Sequence, residues 1–397
     1  MVGIQTSFSE LYKLTNSIAR YSPTGHFLAT AVAERLVIRS TVTLKIVALF
    51  ETATPIQYLA WSPDSEFVVT LSYKHHSLEV WNVRQSEWVG KLEDAVGGVV
   101  GVRFAPNSRC LLIWAEDLLR INIWDLSTRA MCYIQHPKHG PEKGFVIRPD
   151  KKYAALAEAR DKDWIGIYRT DDWSLIKQFP ADTNNLEHLS WSPDGQYLAV
   201  WDNCTDYTLL IYKPDGILLT RYIPHRANTT PSLGLGIKHV IWSPTGQYVA
   251  VSSYDGVLRL LETVWWACVG EFRQADADER YADVWVSVPS YHQKYEYVLN
   301  PPTHATVHLR PSNQPFPKTA CTCDFSPDGA WIAFALKDAT PTRIYMFSCR
   351  TLRCETLLQH DSPIRTMRWQ PRQGRLVWWF EESDSFGVWT EDEGRGQ

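Results

Sequence analysis

Four cysteines in the last third of the chain come nearest to the residue types of a chemical site. Cys321 and Cys323 are two residues apart, so on a strand both would lie on one face. Cys349 and Cys354 follow in the same stretch of sequence. Thiolates in such a group would bind zinc, but most zinc sites use a C-x₂-C spacing. We therefore expect buried thiols, and we predict no metal site and no cofactor.

The rest of the chain lacks the motifs of catalysis. It contains no P-loop, no G-x-G-x-x-G, no G-x-S-x-G and no H-E-x-x-H. Two charged clusters fit hairpin tips that are either solvated or in contact with a protein partner. We predict that the protein is not an enzyme. The candidate partner-binding residues at these tips are Lys74, His75, Arg160, Asp161 and Asp163.

A recurring sequence motif, which we call the corner phrase, indicates the strands and turns that would carry such tips. An aromatic or branched residue and a small or polar residue precede a proline, which Asp, Asn or Thr usually follows. The prolines are Pro23, Pro63, Pro106, Pro149, Pro193, Pro244, Pro327 and Pro371. Most steps between them are near 43 residues, the period of WD-type blades. The phrase predicts a tight turn between two strands, because Pro presets φ and Asp or Gly suits the following positions.

The period predicts an all-β WD40-type β-propeller that forms a single domain over residues 1–397. Eight four-stranded repeats fit the phrase best, and a seven-bladed ring is the alternative. The last unit supplies only three strands, so we expect residues 8–14 to provide its missing outer strand and to close the ring.

The repeat is interrupted between Pro244 and Pro327, which are 83 residues apart. Residues 274–318 lack the phrase and are rich in proline. They form either a long insertion or a degenerate blade. Long insertions on rigid scaffolds often carry function. The apolar candidates for partner binding here are Trp285, Tyr291, Tyr295 and Tyr297, unless these side chains pack against the blades.

Composition limits the partners further. The net charge is −4 and the pI is about 6.3, without a long basic run, which disfavours nucleic acid and anionic membranes. We expect no small-molecule substrate. The eight cysteines fall mostly in apparent strands, as Cys110, Cys132, Cys204 and Cys268 do, so we expect reduced, buried thiols in a cytosolic or nuclear protein.

Several short sequence motifs resemble those of one WD-repeat family, the WD-repeat-eight proteins of centrosomes and spindle pole bodies. They include Phe8-Ser9-Glu10, Leu156-Ala157-Glu158 with Arg160-Asp161, and Leu198 to Asp202 with Cys204. The strongest runs from Gly236-Ile237-Lys238 through Trp242-Ser243-Pro244 to Ser253-Tyr254-Asp255-Gly256. The resemblance covers roughly residues 7–390.

The resemblance implies a non-enzymatic scaffold in the cytoplasm, on the cytoskeleton at the microtubule-organising centre. Its partners would be a small coiled-coil anchoring protein and a minus-end-directed kinesin, which hold microtubule minus ends and support the bipolar mitotic spindle. The alternative is a WD40 substrate receptor of a ubiquitin ligase, which would need several arginines around a central channel.

Overall fold

The fold is seen in a computed structural model of the chain. The structure describes residues 12, 14–15, 18–85, 89–92, 98–223, 236–272, 283–289, 295–299, 321–336, 340–360, 362–371, 374–381 and 386–390. For residues 89, 283, 287–289, 295–299, 321, 336 and 340–341 the description is of the backbone. All regular structure in these ranges is β-strand. The chain divides into two compact units, Met1–Pro180 and Ala181–Gln397.

The first unit contains four antiparallel sheets, each of four strands in chain order. The first sheet is β1 (Ala19–Tyr21), β2 (Phe27–Val32), β3 (Arg35–Ser40) and β4 (Ile46–Glu51). The second is β5 (Tyr58–Trp61), β6 (Phe67–Ser72), β7 (Ser77–Asn82) and β8 (Val89–Leu92). The third is β9 (Gly101–Phe104), β10 (Cys110–Trp114), β11 (Arg120–Asp125) and β12 (Met131–Gln135). The fourth is β13 (Phe145–Ile147), β14 (Tyr153–Ala159), β15 (Asp163–Arg169) and β16 (Leu175–Pro180).

The second unit repeats this plan, with two departures. The fifth sheet is β17 (Leu186–Trp191), β18 (Leu198–Asp202), β19 (Leu209–Tyr212) and β20 (Leu218–Tyr222). The sixth is β21 (Ile237–Trp242), β22 (Tyr248–Ser253), β23 (Leu258–Glu262) and β24 (Cys268–Phe272). The next strands are β25 (Asp283–Pro289), β26 (Tyr295–Leu299), β27 (Cys321–Phe325), β28 (Trp331–Leu336), β29 (Thr340–Ser348) and β30 (Arg353–Gln359). The last are β31 (Ile364–Trp369), β32 (Leu376–Phe380) and β33 (Phe386–Trp389).

The departures lie in the seventh and eighth sheets. The hairpin β25–β26 comes from residues 274–318, and β25 pairs in parallel with β30, so the seventh sheet has six strands. The eighth sheet has three strands, β31–β33, among the described residues. The predicted all-β WD40-type fold is confirmed. The number of blades, the single domain and the character of residues 274–318 stay predictions, and the proposed closing strand falls mostly outside the described residues.

The recurring phrase is a hairpin corner held by its serine. Ser62 Oγ accepts a hydrogen bond from Phe67 N at 2.9 Å and donates one to Asp64 Oδ1 at 2.5 Å. The acceptor bond recurs at Ser22, Ser192, Ser243 and Ser326. The side chain therefore satisfies backbone groups that the turn leaves unpaired, which explains why serine and aspartate accompany the proline.

The residue after the aspartate or asparagine of the corner adopts a left-handed conformation. Gly195 and Gly329 occupy this position with φ of 71° and 73°, whereas Ser65, Ser108 and Lys151 adopt it without being glycine. Two of these serines connect neighbouring sheets. Thr24 N donates to Ser65 Oγ, and Asp64 N donates to Ser108 Oγ, each at 3.1 Å.

Apolar strands buried on both faces form the core between sheets. Every residue of β6 is buried, as is every residue of β10. Tryptophans of the corner phrase also bridge sheets: Trp61 Nε1 donates to Arg20 O at 3.0 Å and Trp369 Nε1 to Asp324 O at 3.1 Å. Both side chains are buried, so tryptophan packs between neighbouring sheets at these positions.

Candidate interaction sites

The first unit contains a cavity of about 260 Å³, which we call the tyrosine pocket. Its lining comes from the second and third sheets and from the loop that precedes β13. The lining residues are Tyr58, Tyr73, Val100, Gly101, Val102, Gly140, Pro141, Glu142 and Lys143. Its walls are mostly apolar, and it is large enough for one bulky side chain.

Close backbone approach at Gly101 shapes the pocket. A methyl group on Gly101 would overlap the ring of Pro141, with Cδ at 2.9 Å. Arg103 Nη1 donates to the carbonyl oxygens of Pro141 and Phe145, at 3.1 and 3.4 Å. Glycine at the start of β9 therefore lets the proline-containing loop pack directly on the strand.

The loop of residues 136–144 is fixed along β14. Lys138 N donates to Ala157 O at 2.9 Å, Ala157 N to Gly144 O at 2.7 Å, and Ala159 N to His136 O at 3.0 Å. These bonds attach the pocket wall to a strand in the core of the fourth sheet. The pocket is consequently preorganised, which lowers the entropic cost of binding.

Two phenols and a carboxylate give the pocket its polarity. Burial raises the pKa of Tyr58, and the nearby Glu142 carboxylate raises it further. Burial also raises the pKa of Tyr73, with smaller contributions from Tyr58 and Glu142. Both phenols therefore stay protonated at neutral pH and can donate hydrogen bonds. Apolar walls with a few polar groups are typical of a binding site.

The predicted tip residues Lys74 and His75 border this pocket. Both are exposed, and they directly follow the lining residue Tyr73 at the turn between β6 and β7. Lys74 N donates to Gln57 Oε1 at 3.1 Å, which fixes the backbone of the turn. Sequence reasoning found this tip but missed the pocket, because the other walls come from Tyr58, 16 positions before Lys74, and from residues 100–102 and 140–143 further along the chain.

The second predicted tip is only partly a surface. Arg160 and Asp161 are exposed at the turn between β14 and β15, and Asp161 Oδ1 accepts a bond from Trp164 Nε1 at 2.9 Å. Asp163 is buried and pairs with Lys138, whose Nζ lies 2.5 Å from Oδ1. The assignment of Asp163 to an exposed binding tip is corrected, because the half-buried Lys138 of the pocket loop forms an ion pair with it.

Behind this tip lies a buried glutamate that sequence reasoning did not select as a functional residue. Glu158 is fully buried and accepts hydrogen bonds from Tyr168 Oη at 2.7 Å, from Arg160 Nε at 3.1 Å and from Gln178 Nε2 at 2.5 Å. Gly166 on β15, which pairs with Leu156 of β14, leaves the space for the Glu158 carboxylate. The available signal was a single carboxylate inside the apolar strand β14. All of its bonds are internal, so it orients Arg160 rather than binding a ligand.

The partner-binding candidates in residues 274–318 are only partly covered by the described residues. Trp285 is buried in a core cluster with residues of the seventh and eighth sheets, so its assignment as a contact residue is corrected. The pairing of β25 with β30 carries its side chain into that core. Tyr291 lies outside the described residues, and Tyr295 and Tyr297 lie on β26 with side chains outside the description.

A buried arginine organises the sixth sheet. Arg259 donates to Asp255 Oδ2 at 2.8 Å, to Glu271 Oε1 at 3.2 Å and to Tyr207 Oη at 2.9 Å. Ser253 completes the group through its bond with Tyr207. Arg259 is almost completely buried, and its hydrogen bonds go to side chains of the protein itself. The network therefore fixes the turn at 253–256 rather than binding a ligand.

The cysteines do not form a metal site in the described part of the chain. No group of three or more His, Cys, Asp or Glu side chains that could hold a metal is found there. Burial raises the pKa of both Cys349 and Cys354 to about 12, so both stay protonated thiols. The expectation that the thiols are buried is wrong for Cys132, Cys204 and Cys268, which are exposed.

Within the same described residues, no helix is long and apolar enough to cross a membrane.

Comparison with known proteins places these features in a family. Residues 230–261 match the family model "WD domain, G-beta repeat". The mouse protein "WD repeat-containing protein WRAP73" is 34% identical over 94% of this chain and 84% of its own length. An uncharacterized WD repeat-containing protein of Schizosaccharomyces pombe is 23% identical over 94% of this chain and 76% of its own.

Solved structures agree on the fold. The C-terminal WD40 domain of Sif2 has a TM-score of 0.56 and 14% identity, over 96% of this chain and 97% of that domain. A eukaryotic initiation factor has a TM-score of 0.62 and 13% identity, over 96% of this chain and 86% of its own. These likenesses show the fold alone, because one fold can carry many functions. With a third of its residues shared across nearly its whole length, the chain belongs to the WD-repeat family of the mouse protein WRAP73.

Proposed function

We propose that this protein is a non-enzymatic adaptor of the microtubule-organising centre, at the spindle pole body or centrosome. It tethers a small coiled-coil anchoring protein and a minus-end-directed kinesin, and so holds microtubule minus ends during assembly of the bipolar spindle. Two observations support this assignment: the similarity to WRAP73 over 94% of the chain, and the family sequence motifs around Gly236–Gly256.

The single observation that carries the binding role is the tyrosine pocket. Its rigid apolar walls, its two phenol donors and the exposed Lys74 and His75 at its border suit one bulky side chain of a helical partner. None of the groups that line it forms a nucleophile–base pair. The pocket therefore supports recognition of a protein rather than turnover of a substrate.

The charge of the protein supports indirect attachment to microtubules. The net charge is −4, and tubulin is itself acidic, so a partner makes the contact with the lattice. The purified protein should stay in the supernatant when microtubules are sedimented in moderate salt. Pelleting with bare microtubules would contradict this part of the proposal.

The decisive experiment is affinity purification of the tagged full chain from dividing cells. The wild type should bring down a coiled-coil pole component and a minus-end kinesin. Val100→Glu, which places a charge at the pocket wall, should lose one of them. Met131→Glu on the outer strand β12 is the matched control, because Met131 is also exposed but lies outside the pocket. Recovery of ubiquitin-ligase subunits instead would favour the alternative function.

A further inference from the structure

A large aromatic side chain of the sixth sheet is left almost entirely in solvent. Trp265 is 79% exposed and its neighbour Val264 is 68% exposed, at the turn between β23 and β24. We call residues 263–267 the tryptophan turn. Exposed tryptophan is uncommon on a protein surface, and tryptophan is enriched among the residues that anchor interfaces.

The tryptophan turn is held against the corner of its own sheet. Thr263 N donates to Gln247 O at 3.0 Å. Trp266 adopts φ of 56°, and its ring packs edge-on against Trp242, with the ring centres 6.1 Å apart. The turn therefore packs one tryptophan inward and presents the next one, Trp265, to solvent. Because this arrangement exists before binding, presenting Trp265 costs little conformational entropy.

The tyrosine pocket has the size and polarity that such a side chain requires. Its volume is about 260 Å³ and its walls are mostly apolar, which suits one large aromatic ring. The indole N–H of Trp265 can only donate a hydrogen bond, and the oxygens of Tyr58, Tyr73 and Glu142 in the pocket can accept one. An aliphatic side chain would cover these oxygens without offering them a donor.

The charges beside the two surfaces favour their contact. Between residues 260 and 270 the only charged side chain is Glu262, which is half-buried. Lys74 and Lys143 are exposed, the first at the border of the pocket and the second in its lining. A negative turn therefore meets two ammonium groups, while Glu142 is left to accept the indole N–H.

We propose that Trp265 of one copy of this protein inserts into the tyrosine pocket of a second copy. The turn lies at the corner end of the sixth sheet, whereas Tyr58 and Tyr73 lie at the end of the second sheet away from its corner. The contact is heterologous, so a pair of copies keeps one free turn and one free pocket, and further copies can add. A pocket filled in this way is closed to other side chains. The inference does not depend on the proposed function.

The test is sedimentation velocity on the purified full chain. Concentrations from about 1 to 200 µM are needed, because a contact centred on one side chain is small and weak. The wild type should form assemblies that grow beyond the dimer as the concentration rises. Trp265→Ala removes the anchor and should raise the dissociation constant at least about tenfold. Val100→Glu places a carboxylate at the pocket wall and should do the same.

Mixing these two variants distinguishes a turn-to-pocket contact from any other association. The Trp265→Ala copy keeps an intact pocket, and the Val100→Glu copy keeps an intact turn. An equimolar mixture should therefore form a heterodimer with about the wild-type dissociation constant, and nothing larger, although neither variant associates alone.

Two control variants complete the experiment. Tyr133→Ala removes an exposed aromatic ring on β12, and Met131→Glu adds a charge on the same strand; both lie outside the pocket and should associate like the wild type. Circular dichroism should show that every variant is folded, because all of these side chains are exposed. A wild type that stays monomeric, assembly that persists in either single variant, or a mixture that stays monomeric would each overturn the proposal. The affinity purification that tests the proposed function is a separate readout, so the two proposals can fail independently.

Discussion

Acidification should weaken the fold through His360. This side chain follows β30 and is 2% exposed, with its ring centre 5.0 Å from that of Trp378 and 5.3 Å from that of Phe380. Burial among these rings lowers the pKa of His360 from 6.5 to about 3. The folded protein therefore keeps a neutral imidazole at pH values where an exposed histidine is charged.

The sign and size of the effect follow from proton binding. Below about pH 6.5 the unfolded chain takes up a proton on this ring, whereas the folded chain does so only near pH 3. Between these values the unfolded state binds more protons, so the free energy of unfolding falls as the pH falls. Each pH unit in this window costs about 1.4 kcal/mol, so pH 5 should cost about 2 kcal/mol relative to pH 7.5.

Urea unfolding at pH 7.5 and pH 5.0 measures this contribution. The wild type and His26→Gln, a control at an exposed histidine, should lose the same free energy of unfolding between the two pH values. His360→Gln should be less stable than the wild type at pH 7.5, but its loss on acidification should be about 2 kcal/mol smaller. An equal loss in all three proteins would refute the reasoning, because the acid sensitivity would then come from other groups.

Three further substitutions test how the sheets are held. Trp61→Phe removes the indole donor to Arg20 O and should cost about 1–3 kcal/mol in urea unfolding, since the carbonyl is left unpaired. Lys151→Gly should stabilise by up to about 1 kcal/mol, because Lys151 adopts φ of 63° at a corner where other sheets use glycine. Gly166→Ala should cost about 1–3 kcal/mol, because the new methyl group would overlap the carboxylate of Glu158.

Matched controls separate these effects from general substitution effects. Trp265→Phe changes an exposed indole and should leave stability within about 0.5 kcal/mol of the wild type. Lys152→Gly, next to the corner, should destabilise rather than stabilise. Equal effects at Trp61 and Trp265, a gain at both lysines, or an unchanged Gly166→Ala protein would contradict the respective assignments.

The local features of the fold were predictable because they depend on neighbours in sequence. The corner at Ser62 needs only a proline, an aspartate and the backbone of the next five residues. The unbroken apolar run of β6 likewise indicates a strand that is buried on both faces.

The candidate sites were less predictable, because burial depends on segments far away in the chain. Asp163 belongs to a charged run that is typical of an exposed surface, but Lys138 of the pocket loop forms an ion pair with it. Trp285 belongs to a segment without the corner phrase, and only its pairing with β30 reveals a core residue. The tyrosine pocket joins Tyr58 to Pro141, and no local pattern relates positions so far apart.

The sequence alone determined that this chain folds into repeated antiparallel sheets with serine-held corners, since turn chemistry and apolar runs act over a few residues. The tertiary structure decided which charges and tryptophans remain at the surface and where a rigid pocket opens. These properties arise from contacts between different sheets, and no repeating pattern in the sequence indicates such contacts.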